Sequence, residues 1–434
     1  MGSETQLAPW RPTGALTRAA LTGPAMALAG LLWAKPALVV LAGPLLVAAL
    51  VGLLRRPTAP PQVTTTVSLR ALPEGSGTAM RTRVEGGGLE QATCVVAPGP
   101  LIATRPVAGA VSATGPAGDG PIAVAVEVSP RRWGQVEIGA GLVAVTSSWG
   151  GYRWGPVPVT GVQLTALPAP LPFDSRAETP HPMGLVGANR GARDGEGTEF
   201  SGIREFQPGD RLRRIHWRTS LRTGQLHAIT TTAEQDSEVL LLVDALADVG
   251  TSAGVDGGAS SLDLSVRAAA ALAEHHLRLG NRVGLRVIGG SGQLLRPAAG
   301  LRHQRRILET LARVVPGTGS AAGGRLHLGA RAGATVLALS PLLSSMLTAS
   351  LAVLAQRGVP VVAIDTLPER TPLKLSQLSP EALAWRLRLA ERQIEVVELA
   401  RAGIPVVGWR GPGTLDEVMR RLARRSQMPR VGAR

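Results

Sequence analysis

The chain contains 434 residues, of which 44% are apolar and 18% are charged, so it is neither a disordered nor a wholly membrane-embedded protein. Its length allows two or three domains. Aromatic residues reach only 3%, which excludes an RNA-binding protein built on aromatic stacking platforms. The single cysteine, Cys94, excludes a disulfide scaffold and a multi-cysteine zinc site.

The net charge is +15, and only two of the 46 basic residues are lysines. Such an excess of arginine fits nucleic acid, an anionic membrane surface or a coding bias. The C-terminal tail is the only arginine cluster without an acid, and a solvated, lipid-facing or disordered tail is favoured over a nucleic-acid patch. The tail arginines are Arg420, Arg421, Arg424, Arg425, Arg430 and Arg434. Nucleic acid is therefore not an expected partner.

Two apolar segments lie near the N-terminus. Residues 36–54 contain no charge and would form a helix about 28 Å long, enough for the hydrocarbon layer. The preceding uncharged run, 19–34, is shorter and carries Pro24. Together they predict two transmembrane helices within 19–54, turning at Lys35 and Pro36. A signal peptide and a buried hairpin are the alternatives, and the length of the second run disfavours a signal peptide.

The flanking charges predict the orientation of this hairpin. Arg11 and Arg18 precede it and Arg55 and Arg56 follow it, against one lysine at the turn. The positive-inside rule therefore places residues 1–18 and the large C-terminal part in the cytoplasm. The expected location is the cell membrane, with two spans and the lipid bilayer as a partner.

Residues 58–167 are rich in Val and Thr with a period of two, which is typical of half-buried strands. They predict a small antiparallel β-sandwich or barrel that serves as an interaction or spacer module. Residues 168–198 are rich in Pro and Gly and are interpreted as a linker.

The region 236–426 alternates apolar strands with amphipathic helices, which predicts a doubly wound, three-layer α/β domain followed by a basic tail over 427–434. The expected strands are 238–244, 282–288, 335–340, 359–365 and 404–409, and the expected helices are 263–279, 301–315, 344–357, 379–401 and 414–425.

Ligands of an open α/β sheet bind at the carboxyl ends of its strands. The polar residues there are Asp244, Ser340 and Asp365, with Asp248 close to the first. Three carboxylates could hold Mg²⁺, so a metal-dependent hydrolase or nuclease using Asp244, Asp248 and Asp365 stays an alternative. A metal-free edge is favoured because Leu246 occupies the first alternate position, and no cofactor is expected. The sequence has no P-loop, nucleophile elbow or zinc-protease motif, so no catalytic residue is proposed.

The most densely charged stretch is EFSGIREFQPGDRLRRIHWRTSLRTGQL, residues 199–226. It belongs to a predicted segment of residues 199–235 that precedes the α/β domain. Pro208-Gly209-Asp210 indicates a turn. Arginine pairs bidentately with carboxylates, so an ion-pair network is expected, with Ile215 and Trp217 buried beneath it. The segment either fastens the linker to the α/β domain or forms a docking surface for an acidic partner. The motif residues are Glu199, Arg204, Glu205, Gly209, Asp210, Arg213, Arg214, Trp217 and Arg222.

This stretch resembles the signature of the bacterial domain-of-unknown-function 58 family, in which Glu-Phe, Arg-Glu-Phe, Gly-Asp and Arg-Arg-Ile-x-Trp follow at this spacing. The resemblance implies a membrane hairpin, a β-rich module and a von Willebrand factor A-like domain. It also implies a partner, since such proteins are associated with MoxR-type AAA+ ATPases and other envelope proteins. Many relatives carry Asp-x-Ser-x-Ser where this chain has Asp244, Leu246 and Asp248, so any metal site is degenerate. The leading hypothesis is a membrane-anchored adaptor without catalysis, whose α/β domain binds a protein.

Overall fold

The computed structural model describes most of the chain between residues 8 and 414. The described residues are 8–97, 99–115, 120–138, 141–159, 161–169, 194–207, 210–232, 238–290, 292–317, 326, 328–330, 334–369, 379–411 and 414, with the backbone alone at 194–201 and 230–232. They form two compact units, one of residues 1–168 with 253–257, and one of residues 169–252 with 258–434.

The first unit begins with a helical hairpin of α1 (Gly14–Leu32) and α2 (Pro36–Leu54). Both helices are long and apolar enough to cross a membrane, with mean hydropathies of 1.3 and 2.7, which supports membrane association. The turn between them places Ala34 at a φ of 51°, and the Lys35 N–H donates to the Gly30 carbonyl at 2.9 Å. Small residues bring the helices together, since a Cβ on Gly30 would lie 2.7 Å from the Val39 side chain.

The described residues of this unit form twelve strands. They are β1 (Arg11–Pro12), β2 (Gln62–Val67), β3 (Ala71–Pro73), β4 (Thr78–Glu85), β5 (Leu89–Val95), β6 (Ile102–Arg105), β7 (Ala110–Thr114), β8 (Ile122–Pro130), β9 (Gly134–Ile138), β10 (Leu142–Ser147), β11 (Tyr152–Pro158) and β12 (Val162–Leu167). They form three sheets with the orders β1-β11-β10-β5-β7, β2-β4-β8-β6 and β3-β12-β9. The pairing is antiparallel except between β3 and β12, which are parallel and so depart from the expected all-antiparallel module.

Side chains from all three sheets share one apolar core. Along β8, alternate residues from Ile122 to Val128 are buried, as the period of two requires. Trp154 is fully buried and its Nε1–H donates to the Ala8 carbonyl at 2.9 Å. Burial also raises the pKa of the Cys94 thiol, whose hydrogen bond to Thr82 opposes that shift only in part.

The second unit contains the remaining elements. They are β13 (Asp194–Glu205), α3 (Trp217–Thr223), β14 (His227–Thr232), β15 (Glu238–Asp244), α4 (Ser261–Arg278), β16 (Arg282–Ile288), β17 (Leu294–Ala298), α5 (Leu301–Leu311), β18 (Thr335–Ser340), α6 (Ser345–Gln356), β19 (Val361–Asp365), α7 (Pro380–Arg401) and β20 (Val406–Gly408). β13 and β14 form a hairpin, and the other strands form one sheet in the order β17-β16-β15-β18-β19-β20. All of its neighbouring strands are parallel except β17, which runs antiparallel to β16.

The central strand β15 explains why this sheet needs helices on both faces. Every residue from Val239 to Asp244 is buried, so neither side of the strand is left to solvent. Leu240 and Leu242 share a core with apolar residues of α6 and α7. α4 contacts β15, β16 and β18, and its N-terminus is closed by a capping box between Ser260 and Asp263.

Several sequence-based boundaries fall differently, two of them by four residues. The expected linker ends at residue 198, but β13 already begins at Asp194 because it pairs with β14. The expected helix over 301–315 ends at Leu311. The helix expected over 414–425 and the basic tail lie outside the described residues, apart from Thr414.

Candidate functional site

The charged segment is the connection of a β-hairpin. β13 and β14 pair with Arg204 opposite Ala228 and Glu205 opposite His227. The pairing continues one step further, where the Phe206 N–H donates to the Leu226 carbonyl at 2.8 Å. The hairpin therefore holds the two ends of this connection, Phe206 and Leu226, next to each other.

A bidentate ion pair lies near the start of the connection between β13 and β14. Both terminal nitrogens of Arg204 donate to Asp210, at 2.7 Å each, and the Gln207 N–H donates to the same carboxylate at 2.9 Å. The Arg204 guanidinium, and after it the Gln207 amide, hold the pKa of Asp210 below its ordinary range. Charge-assisted forks of this kind fix geometry as well as charge, so the turn is shaped by its own side chains.

Helix α3 is fastened to the hairpin by buried and half-buried polar groups. The Thr219 N–H donates to His216 Nδ1 at 3.3 Å, which caps the helix. The Ser220 hydroxyl donates to the His216 carbonyl at 3.1 Å and accepts from the His227 N–H at 2.9 Å. Ile215 lies beneath and is only 7% exposed. The helix then ends at Gly224, whose φ of 74° suits glycine.

The outer face of α3 is apolar and exposed. Trp217, expected in the core, is 61% exposed, and Leu221, one turn later, is 82% exposed. The expectation of a buried Trp217 is wrong because the polar contacts of His216 and Ser220 turn the opposite face of this short helix toward the hairpin. Leu212, in the preceding 3₁₀ turn, is also 73% exposed.

Arginines surround this apolar face. Arg213, Arg218 and Arg222 are exposed, and none of them forms an ion pair with a residue in the described part of the chain. Arg214 is half-buried and adds to the field that lowers the pKa of Asp210. We call Leu212, Trp217 and Leu221 with these three exposed arginines the α3 surface.

The remaining motif residues contribute less to this geometry. Glu205 is exposed on β13. Glu199 lies in β13, but its side chain is outside the described residues, and so are Pro208 and Gly209. The signal that sequence reasoning missed is the spacing of Trp217 and Leu221, four residues apart on one helix between arginines.

At the sheet edge, Asp244 is held by its neighbours. It is 3% exposed, its Oδ2 accepts from the Ser340 hydroxyl at 2.6 Å, and its Oδ1 accepts from the Leu246 N–H at 3.0 Å. Burial raises the pKa of Asp244, and the hydrogen bonds from Ser340 and Leu246 oppose the shift.

The other two edge carboxylates have different partners. Asp248 accepts from the Leu262 N–H at 3.0 Å, at the start of α4. Asp365 forms an ion pair with Arg392, and its Oδ1 accepts from the Leu367 N–H at 3.0 Å. Among the described residues, no three His, Cys, Asp or Glu side chains form a group that could hold a metal ion. The structure therefore does not bring the three aspartates together.

A family model matches part of this chain. The family model described as "Protein of unknown function DUF58" matches residues 202–376. The DUF58 match begins within β13, includes the α3 surface, and extends past β19. It supports the resemblance to this family over the matched residues.

Curated relatives of this region are also of unknown function. Uncharacterized proteins of Mycobacterium bovis and of two strains of Mycobacterium tuberculosis are each 35% identical over 132 residues. The aligned segment covers 30% of this chain and 40% of each relative, so the chain spans less than half of the length of the relatives that it matches.

Proposed function

We propose that this protein is a membrane-anchored adaptor without catalysis, whose second unit binds an acidic protein partner through the α3 surface. The observation that carries the proposal is the exposure of Trp217 and Leu221 among arginines that form no ion pair with a described residue. Exposed aromatic and arginine side chains are the residue types that dominate protein interfaces. A surface with a net positive rim favours a partner with acidic residues.

The wider architecture supports the same reading. The mostly parallel sheet of the second unit, with helices on both faces, is compatible with a von Willebrand factor A-like domain. The two apolar helices would anchor it, and the four arginines near the first and last turns of the hairpin favour a cytoplasmic location for both units. The partner class that we propose is a MoxR-type AAA+ ATPase, on the strength of the family resemblance.

The test measures binding of a purified MoxR-type ATPase to the full-length chain in detergent. We expect the variant Trp217→Ser/Leu221→Ser to weaken binding at least tenfold, because both side chains would leave the centre of the contact. Arg222→Glu should weaken binding more at low salt than at high salt, because the exposed arginines act through their charge.

Matched controls come from another exposed site of the same unit. Leu301 is 83% exposed and Arg302 beside it is exposed, so Leu301→Ser and Arg302→Glu remove the same kinds of group elsewhere. The α3 surface is not the interface if its variants bind as tightly as the Leu301 and Arg302 variants do.

A further inference from the structure

Within the first unit, strand β11 and the loop before it contact the base of the helical hairpin. β1 pairs with β11 directly before α1, and the Thr13 N–H and hydroxyl donate to Gly151 and Gly150 at 2.9 and 2.7 Å. At the other helix, Gly52 lies against Gly151, since a Cβ on Gly151 would be 3.7 Å from the Gly52 Cα. The loop at 148–151 is therefore held level with the start of α1 and the end of α2.

Several exposed arginines lie close to the start of α1 and the end of α2. Arg11 and Arg153 face each other across the β1–β11 pair, and both are exposed. Arg55 and Arg56 follow α2 and are exposed as well. Like charges directly opposite each other destabilise a strand pair unless an anion lies between or above them.

The fifth arginine turns toward the same level. Arg18 lies one turn inside α1, and its Nε donates to the Gly14 carbonyl at 3.0 Å, so the side chain runs back toward the start of the helix. This is the direction in which a charged side chain leaves a membrane core. None of the five arginines forms an ion pair with any residue that the structure describes.

An exposed tryptophan stands beside them. Trp149 is 71% exposed and has a φ of 65°, a conformation that a non-glycine residue seldom adopts. The Arg55 guanidinium lies 5.9 Å from its ring centre. The Glu90 carboxylate contacts this loop and accepts from the Gly150 N–H at 3.1 Å. Tryptophan with arginine is typical of the headgroup level of a membrane.

We propose that Arg11, Arg18, Arg55, Arg56 and Arg153, with Trp149, form a binding surface for the phosphates of anionic lipid headgroups at the base of the hairpin. Arginine recognises phosphate through paired N–H donors, and Trp149 adds an amphipathic ring at the same depth. The proposal rests on the insertion of the hairpin into a membrane, which belongs to the proposed function. It adds that Trp149 and Arg153, which lie outside the hairpin, supply part of the lipid contact.

Native mass spectrometry of the full-length chain, titrated with phosphatidylglycerol or phosphatidylcholine, measures the lipid preference. The expected result is a preference for phosphatidylglycerol that falls at least tenfold in Arg11→Gln/Arg153→Gln. The control Arg70→Gln/Arg81→Gln removes the same charge from two exposed arginines of the same unit and should keep the preference. The proposal would be overturned if Arg11→Gln/Arg153→Gln kept the same preference for phosphatidylglycerol as Arg70→Gln/Arg81→Gln.

A second measurement locates Trp149. In vesicles that contain brominated phosphatidylglycerol, part of the tryptophan fluorescence of the wild type should be quenched, and that part should be missing in Trp149→Phe. Unchanged quenching in this variant would remove Trp149 from the surface. Carbonate extraction of wild-type membranes separates the two proposals: release of the protein contradicts insertion itself, whereas retention without lipid preference contradicts only the headgroup surface.

Discussion

Replacement of Asp244 tests how the sheet edge is stabilised. In the wild type its buried carboxylate accepts from the Ser340 hydroxyl at 2.6 Å and from the Leu246 N–H at 3.0 Å. Asp244→Ala leaves both donors without an acceptor, at about 1–3 kcal/mol each, so we expect a loss of roughly 2–6 kcal/mol in the free energy of unfolding. Asp244→Asn keeps the shape and an acceptor oxygen, so its loss should be much smaller.

The pH dependence of the stability distinguishes the protonation of Asp244 from its role as a hydrogen-bond acceptor. Burial raises the pKa of Asp244, so the folded state binds its proton more tightly than the unfolded state. Its contribution to stability is therefore complete below the unfolded pKa, about 3.9, and is lost as the pH rises through the folded pKa. Asp244→Asn removes this loss, so its stability relative to the wild type should increase with pH.

Hydrogen exchange of the β15 amides in the full-length chain measures the local free energy of opening. The ratio of exchange rates between wild type and variant at each pH cancels the intrinsic rates and the other titrating groups. A ratio for Asp244→Asn that stays constant between pH 4 and 8 would refute the raised pKa. A small effect of Asp244→Ala would refute the hydrogen-bond argument.

Three further outcomes are expected. Burial lowers the pKa of His276 to about 3, so the wild type should lose stability as the pH falls below the unfolded pKa near 6.5. His276→Gln should lessen that loss, as measured by hydrogen exchange of the α4 amides. Gly109→Ala should destabilise the β-rich unit by roughly 2–5 kcal/mol in thermal unfolding, because φ is 63° and the new Cβ would lie 2.1 Å from the Val96 carbonyl oxygen. Mg²⁺ should give no saturable heat in calorimetry, because the three sheet-edge aspartates have separate partners; a heat that Asp244→Ala abolishes would contradict this.

The parallel strands were predictable because burial on both faces leaves an unbroken apolar run. Residues 238–244 and 282–288 were placed at their observed bounds for this reason. β17 was missed since its sequence, LLRPA, is short and contains proline, which is tolerated on an edge strand. β1 was missed because its two residues acquire strand geometry only by pairing with β11, far along the chain.

The site was predictable in composition and less so in orientation. The pairing of Arg204 with Asp210 follows from their chemistry and their separation of six residues. The exposure of Trp217 does not follow, because an apolar residue at helical spacing fits a buried face and an exposed face equally well. Which face α3 turns inward depends on the contact of Ser220 with His227, across the hairpin.

The separate partners of the edge carboxylates bear on where recognition takes place. A ligand that needed Asp244 and Asp365 together would have to break the Ser340 hydrogen bond and the Arg392 ion pair, and a buried polar group left without its partner costs about 1–3 kcal/mol. The α3 surface needs no such rearrangement, because Trp217 and Leu221 are already exposed on a helix that is fastened from beneath. Preorganisation lowers the entropy lost on binding. The proposed partner would therefore bind at α3 at a lower conformational cost than at the sheet edge.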